Sequence, residues 1–223
     1  MNHLEEKFNK FILSRSSNES IDSLPNELFK NKKADYLVFS RSLIFEVKHL
    51  ESDRSEFINR KCSELALNDP KFPDFYGKVS IDSLIDAHDD SRKFSLHIRD
   101  YMGMPIRDLI RSANLQIRDT KIALDKNNST GVLVLLNDSV PMYTGEFIYQ
   151  QVSRFLSKKR SDGSFEREHI EVVWFINEFD TSEYISSAYI LIGPSLKNEN
   201  VVAAFEQLKT MWAGFNNAAI ANN

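Results

Sequence analysis

A chain of 223 residues with 42% hydrophobic content can bury a sizeable core, and only 7 glycines and 6 prolines exclude collagen-like or Gly/Pro-rich low-complexity architectures. The single cysteine, Cys62, excludes an intrachain disulfide and a cysteine-built zinc site. The net charge of −4 argues against a protein that grips nucleic acid by bulk charge, though not against an enzyme that meets phosphate through a metal and a local basic patch. No apolar run approaches the ~20 residues of a membrane helix. The stretch from Met1 to Glu6 lacks the basic and apolar regions of a signal peptide. The expectation is a cytoplasmic globular protein with no membrane partner.

Leu4, Phe8, Phe11 and Ile12 recur at helical spacing and predict a first helix over 3–13, broken by the polar stretch 14–20. Two short runs, 36–39 and 43–47, are rich in β-branched and aromatic residues and predict a β-hairpin around Ser40-Arg41-Ser42. Phe57, Ile58, Leu65 and Leu67 predict an amphipathic helix over 53–67. Residues 68–101 contain Pro70, Pro73 and Gly77 and read as an insertion of irregular and short pieces. Asp86, His88, Asp89 and Asp90 fall there without a framing strand and read as a solvated loop rather than metal ligands. Pro105 suits the first turn of a long helix whose stripe is Ile106, Leu109, Ile110, Ala113, Ile117 and Leu124. The continuous apolar run 131–136 marks a strand covered on both faces. A helix over 147–156, strands over 170–176 and 188–192, and a closing helix over 200–215 complete the chain. This predicts one α/β domain with a mixed sheet: a core of about 3–48 and 104–137, an insertion of about 50–103 and a C-terminal β/α extension of about 138–223.

The informative segment is Lys32-Lys33-Ala34-Asp35-Tyr36 followed by Glu46-Val47-Lys48. Charged residues at the ends of apolar strands are unfavourable unless paired or bound to something. Asp35 shares a face with Leu37, and Glu46 and Lys48 share one with Ile44, because side chains alternate along a strand. A hairpin whose paired residue numbers sum to an odd value, with a two- or four-residue loop, brings those faces together. Two carboxylates placed so close repel, and a hard divalent cation compensates them while keeping waters that a phosphate oxygen can replace. A salt bridge across the hairpin, pairing Asp35 and Glu46 with Lys33 or Lys48, accounts for the same residues without chemistry. His49 follows directly, but alternation points it to the opposite face. Neither a Gly-rich phosphate loop nor a Gly-X-Ser-X-Gly elbow occurs.

This arrangement resembles the PD-(D/E)XK nuclease superfamily, which includes restriction endonucleases and Holliday-junction resolvases. Its motif places an acidic residue at the start of one strand and Glu/Asp-X-Lys on the next. Ala34-Asp35 stands at the Pro-Asp position and Glu46-Val47-Lys48 at the second half. The resemblance implies a restriction-endonuclease-like αβββαβ core, and covers the chain to about residue 137. A first meander strand before Asp35 has only Leu28-Phe29 as its candidate. Glu-X-Lys alone is uninformative, since Glu5-Glu6-Lys7 repeats it on a helix. Family members often add an acidic residue from the first helix, for which Glu5 borders the buried stripe and Glu6 competes. A glutamine on the second core helix also recurs in several subfamilies, and Gln116 matches it.

The resemblance implies a Mg²⁺- or Mn²⁺-dependent nuclease acting on phosphodiester bonds, with DNA as partner. Asp35, Glu46 and the backbone carbonyl of Val47 would bind the metal, Lys48 would activate water and stabilise charge, and Glu5 and Gln116 would assist. The C-terminal part would supply a surface for substrate or for a second copy in a homodimer. The alternatives are a catalytically inactive nucleic-acid-binding domain of this fold and a protein-interaction domain. Two basic concentrations, Lys30, Lys32 and Lys33, then Arg154, Lys158, Lys159 and Arg160, read as solvated turns or helix ends.

Overall fold

The apolar stripe of the N-terminal segment folds as helix α1, His3–Leu13, burying Leu4, Phe8, Phe11 and Ile12. Glu5 and Glu6 in its first turn complement the helix dipole. The computed structural model describes residues 3–51, 55–70, 72–74, 77, 80–179, 187–198 and 200–218. It divides the chain into two compact units, Met1–Glu51 with Ile106–Asn223, and Ser52–Pro105.

The larger unit carries a six-stranded mixed sheet whose spatial order follows the chain: β1 (Glu19–Ser20), β2 (Tyr36–Val38), β3 (Leu43–His49), β4 (Thr130–Asn137), β5 (Val172–Asn177) and β6 (Ser187–Ile192). The first three strands form an antiparallel meander, β3, β4 and β5 run parallel, and β6 returns antiparallel. Every residue of β4 is buried, as its unbroken apolar run requires of a strand covered on both faces. The first meander strand is Glu19–Ser20, not Leu28-Phe29. Leu28 closes a 3₁₀ turn, Asn26–Leu28, and Phe29 caps it.

One face of the sheet packs against α1 and the closing helix α6 (Asn200–Phe215). Phe8, Phe11, Phe45, Trp174, Phe205 and Trp212 meet there largely edge to face, as between Phe11 and Trp212 (5.0 Å, 79°). Full burial of each large apolar side chain contributes about 1.5–3 kcal/mol. The opposite face meets the 106–123 part of a long helix, through buried Ile106, Ile110, Ala113 and Ile117. Gly131 at the start of β4 allows a close approach: a Cβ there would lie 1.9 Å from the His169 carbonyl oxygen and 2.7 Å from Ile117. A further helix, α5 (Gly145–Leu156), connects β4 to β5 and is capped by the Thr144 hydroxyl.

The second unit is more regular than expected. Helices α2 (Ser55–Asn68) and α3 (Ile81–Ala87) precede α4, Ser91–Ala123, which contains Pro105. Proline removes one helical hydrogen bond but has a helix-compatible φ. Phe94 and Ile98, buried at i,i+4 spacing, continue the apolar pattern upstream of it. The boundary between the units falls at this proline. His88 is not solvated: it is buried, stacks on Phe94 (4.9 Å), accepts the Asp90 N–H at Nδ1 and faces Asp69 through Nε2 (3.3 Å). Among the described residues, no helix is long and apolar enough to cross a membrane.

Lys121 and Glu171 form an ion pair (2.8 Å) with both side chains at least nine-tenths buried, and Glu171 also accepts the Gly131 N–H (3.3 Å). Lys121→Met leaves that buried carboxylate without its cation, so urea unfolding should show a loss of about 3–5 kcal/mol. Lys10→Met, which breaks only the exposed Lys10–Glu6 pair, should leave the unfolding midpoint unchanged.

Candidate active site

The β2–β3 hairpin pairs Tyr36 with Phe45, Leu37 with Ile44 and Val38 with Leu43, an odd-sum register closed by the four residues 39–42. Tyr36 and Phe45 therefore face the aromatic core, while Leu37, Ile44, Glu46 and Lys48 face α4. Phe39, Ser40 and Arg41 all take left-handed conformations, with φ of 51°, 53° and 71°. The loop is held by contacts from outside it. Asn18 accepts the Phe39 N–H (2.9 Å), Ser17 accepts the Ser40 N–H (2.9 Å), and Arg41 meets Glu19 through two nitrogens.

Asp35 precedes β2. Its N–H donates to the Phe45 carbonyl (2.9 Å), and its Oδ2 accepts the Val47 N–H (2.7 Å). The carboxylate thus reaches across the hairpin to the Glu-X-Lys segment. Glu46 lies inside the sheet beside Leu133 of β4 and is fully buried. Lys48 forms an ion pair with Glu46 Oε1, yet neither oxygen of Glu46 accepts a well-aligned hydrogen bond. Burial, and then the charge of Asp35, push the Glu46 carboxyl up to about 8. Burial also raises Asp35, against the opposing effects of the Val47 N–H and Lys48. Tyr36 is pushed up to about 12 by burial and by Asp35, and its hydroxyl donates to Asn9 (3.0 Å).

Helix α4 closes the site from the other side. Gln116 Oε1 accepts from Lys48 Nζ (3.1 Å) and from the Ser112 hydroxyl (2.9 Å), and its Nε2 donates to the Lys33 carbonyl (3.0 Å). One turn later, Thr120 Oγ1 accepts the Ala34 N–H (2.8 Å). Ser112, Gln116 and Thr120 form a polar row at i, i+4 and i+8, a spacing present in the sequence beside the apolar stripe. Sequence reasoning singled out Gln116 and passed over its two neighbours.

Asp35, Glu46, Lys48 and Gln116 converge, with Val47 between the two catalytic candidates on β3. Glu5 does not enter this hydrogen-bonded cluster. It is half-buried on α1 and acts on Asp35 and Tyr36 only through its charge. Glu6 points elsewhere and pairs with Lys10. His49, on the opposite face as alternation requires, pairs with Asp138 (2.9 Å) and faces Glu51 (3.4 Å). Among the described residues, no group of three His, Cys, Asp or Glu side chains is arranged around one point. Two adjacent carboxylates, one with unsatisfied buried oxygens, nevertheless make a donor set suited to a hard divalent cation that retains waters. No family model, curated protein or solved structure matches the chain, so the geometry stands by itself.

The raised Glu46 carboxyl has a consequence for stability. Between its ordinary 4.5 and about 8 the folded state holds more protons than the unfolded one, so metal-free stability should fall as pH rises through that window. Glu46→Gln cannot lose the proton; it should flatten the slope and melt higher than the parent at pH 8 in EDTA. Thermal melts from pH 5 to 9 check both.

Proposed function

We propose that this chain is a metal-dependent nuclease that hydrolyses phosphodiester bonds of nucleic acid, with DNA as its substrate, through Asp35, Glu46 and Lys48. The observation that carries the reading is the buried Glu46 carboxylate beside Asp35, with a lysine two residues on as its sole close cation among the described residues. A surface salt bridge would not need to be built inside a sheet, where removing charges from water is costly. The order of α1, the β1–β3 meander, the 106–123 part of α4 and β4 supports a PD-(D/E)XK-like core. Ala34 at the position of the motif's proline is also accounted for, because its N–H serves Thr120 and proline has none to give.

Asp35 and Glu46 would hold Mg²⁺ or Mn²⁺, with the backbone carbonyl of Val47, the residue that follows Glu46 and donates its N–H to Asp35, as a third oxygen. The ion, when bound, supplies Lewis-acid polarisation of the scissile phosphate and makes a neighbouring water more acidic. The Val47 N–H fixes the Asp35 carboxylate, so that its free oxygen is oriented before any ligand arrives. Lys48, once the Glu46 charge is otherwise compensated, would orient the attacking water as an ammonium donor and offset charge developing on the phosphate. Gln116 sets the position of the ammonium from α4. Glu5 contributes a negative charge at longer range.

Glu46→Gln keeps side-chain volume and removes a metal-binding charge, so Mg²⁺ affinity and cleavage should fall together. Lys48→Ala removes a positive charge, so metal binding should persist or tighten while cleavage falls by about two orders of magnitude or more. Calorimetry paired with cleavage kinetics on single-stranded, duplex and branched DNA tests this. Unchanged cleavage in both variants, from a preparation free of contaminating nuclease, overturns the reading.

A further inference from the structure

Beside the candidate site, the loop before Asp35 and the 108–119 stretch of α4 line an open cleft of about 740 Å³. Lys32, Arg111, Ser112, Leu115 and Gln116 contribute to its wall. Its floor is continuous with the chemistry, because Ser112 and Lys48 both donate to the same oxygen of Gln116. A second cavity of about 230 Å³ shares Asn31, Lys32 and Asp119 with the first and adds Leu28, Phe29 and Ile122.

The charge of this cleft runs against that of the chain. Its two carboxylates are already compensated: Asp108 by Arg107 (3.5 Å), and Asp119 by Arg118 (2.7 Å) and Asn31 (3.1 Å). Lys33 is taken up by Asp22 (3.1 Å) and by the Phe29 ring (5.2 Å). Lys32 and Arg111 are exposed and form no ion pair among the described residues. The uncompensated charge of the cleft is therefore positive, in a chain of net charge −4. The other basic concentration differs, since Arg160 there is paired with Glu168 (3.0 Å).

Next to these cations lies apolar surface. Leu28, Leu115 and Ile122 are 46%, 41% and 64% exposed. Phosphates answer the cations, but only bases with free faces answer exposed leucine and isoleucine. A duplex keeps its base faces stacked inside, whereas an unpaired strand offers bases and phosphates together. The volume also falls within the range of about 300–1,000 Å³ typical of concave sites that enclose a ligand.

We propose that this cleft binds an unpaired nucleic-acid strand next to the scissile bond, with Lys32 and Arg111 on its phosphates and Leu28, Leu115 and Ile122 against its bases. The identity of the ligand rests on the nuclease reading of Asp35, Glu46 and Lys48. It makes the substrate single-stranded, or a duplex opened at the site.

The test is fluorescence anisotropy in EDTA, where no cleavage intervenes, with a labelled DNA oligonucleotide as single strand and as duplex, and the matching single-stranded RNA. The single strand should bind at least ten times more tightly than the duplex. The double variant Lys32→Ala/Arg111→Ala should lose about tenfold or more, and its slope of log affinity against log salt should shrink by roughly 0.7 for each phosphate contact removed. Lys32→Arg/Arg111→Lys should recover most of the loss, and Lys158→Ala/Lys159→Ala should leave binding unchanged. Tight binding of either single strand supports the cleft, and the stronger of the two identifies the sugar. Equal or tighter duplex binding, a double variant that binds like the parent, or an equal loss in the Lys158/Lys159 control overturns it. The two readings fail separately. Loss of single-strand binding in the double variant without any Mg²⁺-dependent cleavage removes the nuclease and keeps the cleft. Cleavage with unaltered binding in the double variant does the reverse.

Discussion

The register of one hairpin governs where every chemically active side chain points. With four residues between Val38 and Leu43, the pleat sends Phe45 to the aromatic face and Glu46 and Lys48 to the face of α4. A slip of one residue would exchange those faces, burying Lys48 among Phe8, Trp174 and Phe205 and turning Phe45 toward Gln116. The register is held at some cost, because three consecutive non-glycine residues in the left-handed region are each strained by about 1–3 kcal/mol. Asn18 offsets this by joining the loop to α1, accepting the Phe39 N–H while donating to the Ile12 carbonyl (2.9 Å). The aromatic core and the carboxylate site are thus two faces of one pairing decision.

The same decision creates an electrostatic conflict that, without a further cation, only a proton on Glu46 relieves. Glu46 is buried in the sheet, Asp35 stands beside it, and one ammonium cannot balance two carboxylates. The contrast with Lys121 and Glu171 is instructive. In that pair both side chains are buried, the charges cancel, and Glu171 has a further donor in the Gly131 N–H. One pair is satisfied and structural; at the other, the Glu46 carboxyl keeps its proton up to about pH 8 unless a further cation compensates it. Retained stability cost of this kind is typical of sites organised for function rather than for folding.

Most of this architecture was legible in the sequence because hydrophobic periodicity carried it. The α1 stripe, the apolar β4 run and the parity of Asp35, Glu46 and Lys48 all follow from patterns that burial enforces. Less was legible where burial is not the cause. Strand β1 is two polar residues, Glu19 and Ser20, neither of them apolar, so no hydrophobic pattern announces it. Pro105 suggested a helix start because local propensity favours it there, but apolar residues on both sides carry α4 through. His88 sat among acidic residues and looked solvated, while its burial depends on Phe72 and Phe94, which sequence does not place beside it. Thr120 escaped notice because its partner is a backbone N–H.

Gln116 and Thr120 lie one helical turn apart and take hold of consecutive residues, Lys33 through its carbonyl and Ala34 through its N–H. These two bonds fix the strand entry immediately before Asp35, whose carboxylate then reaches the Val47 N–H. The helix therefore positions both halves of the motif: Asp35 through the backbone ahead of it, and Lys48 through the side chain of Gln116. The apolar residues at 106, 110, 113 and 117 seat α4 against the sheet, and the polar row at 112, 116 and 120 sets the chemistry along its edge. A helix that serves as both wall and ruler couples packing to catalysis. A change in its seating would move the Asp35 carboxylate and the Lys48 ammonium together.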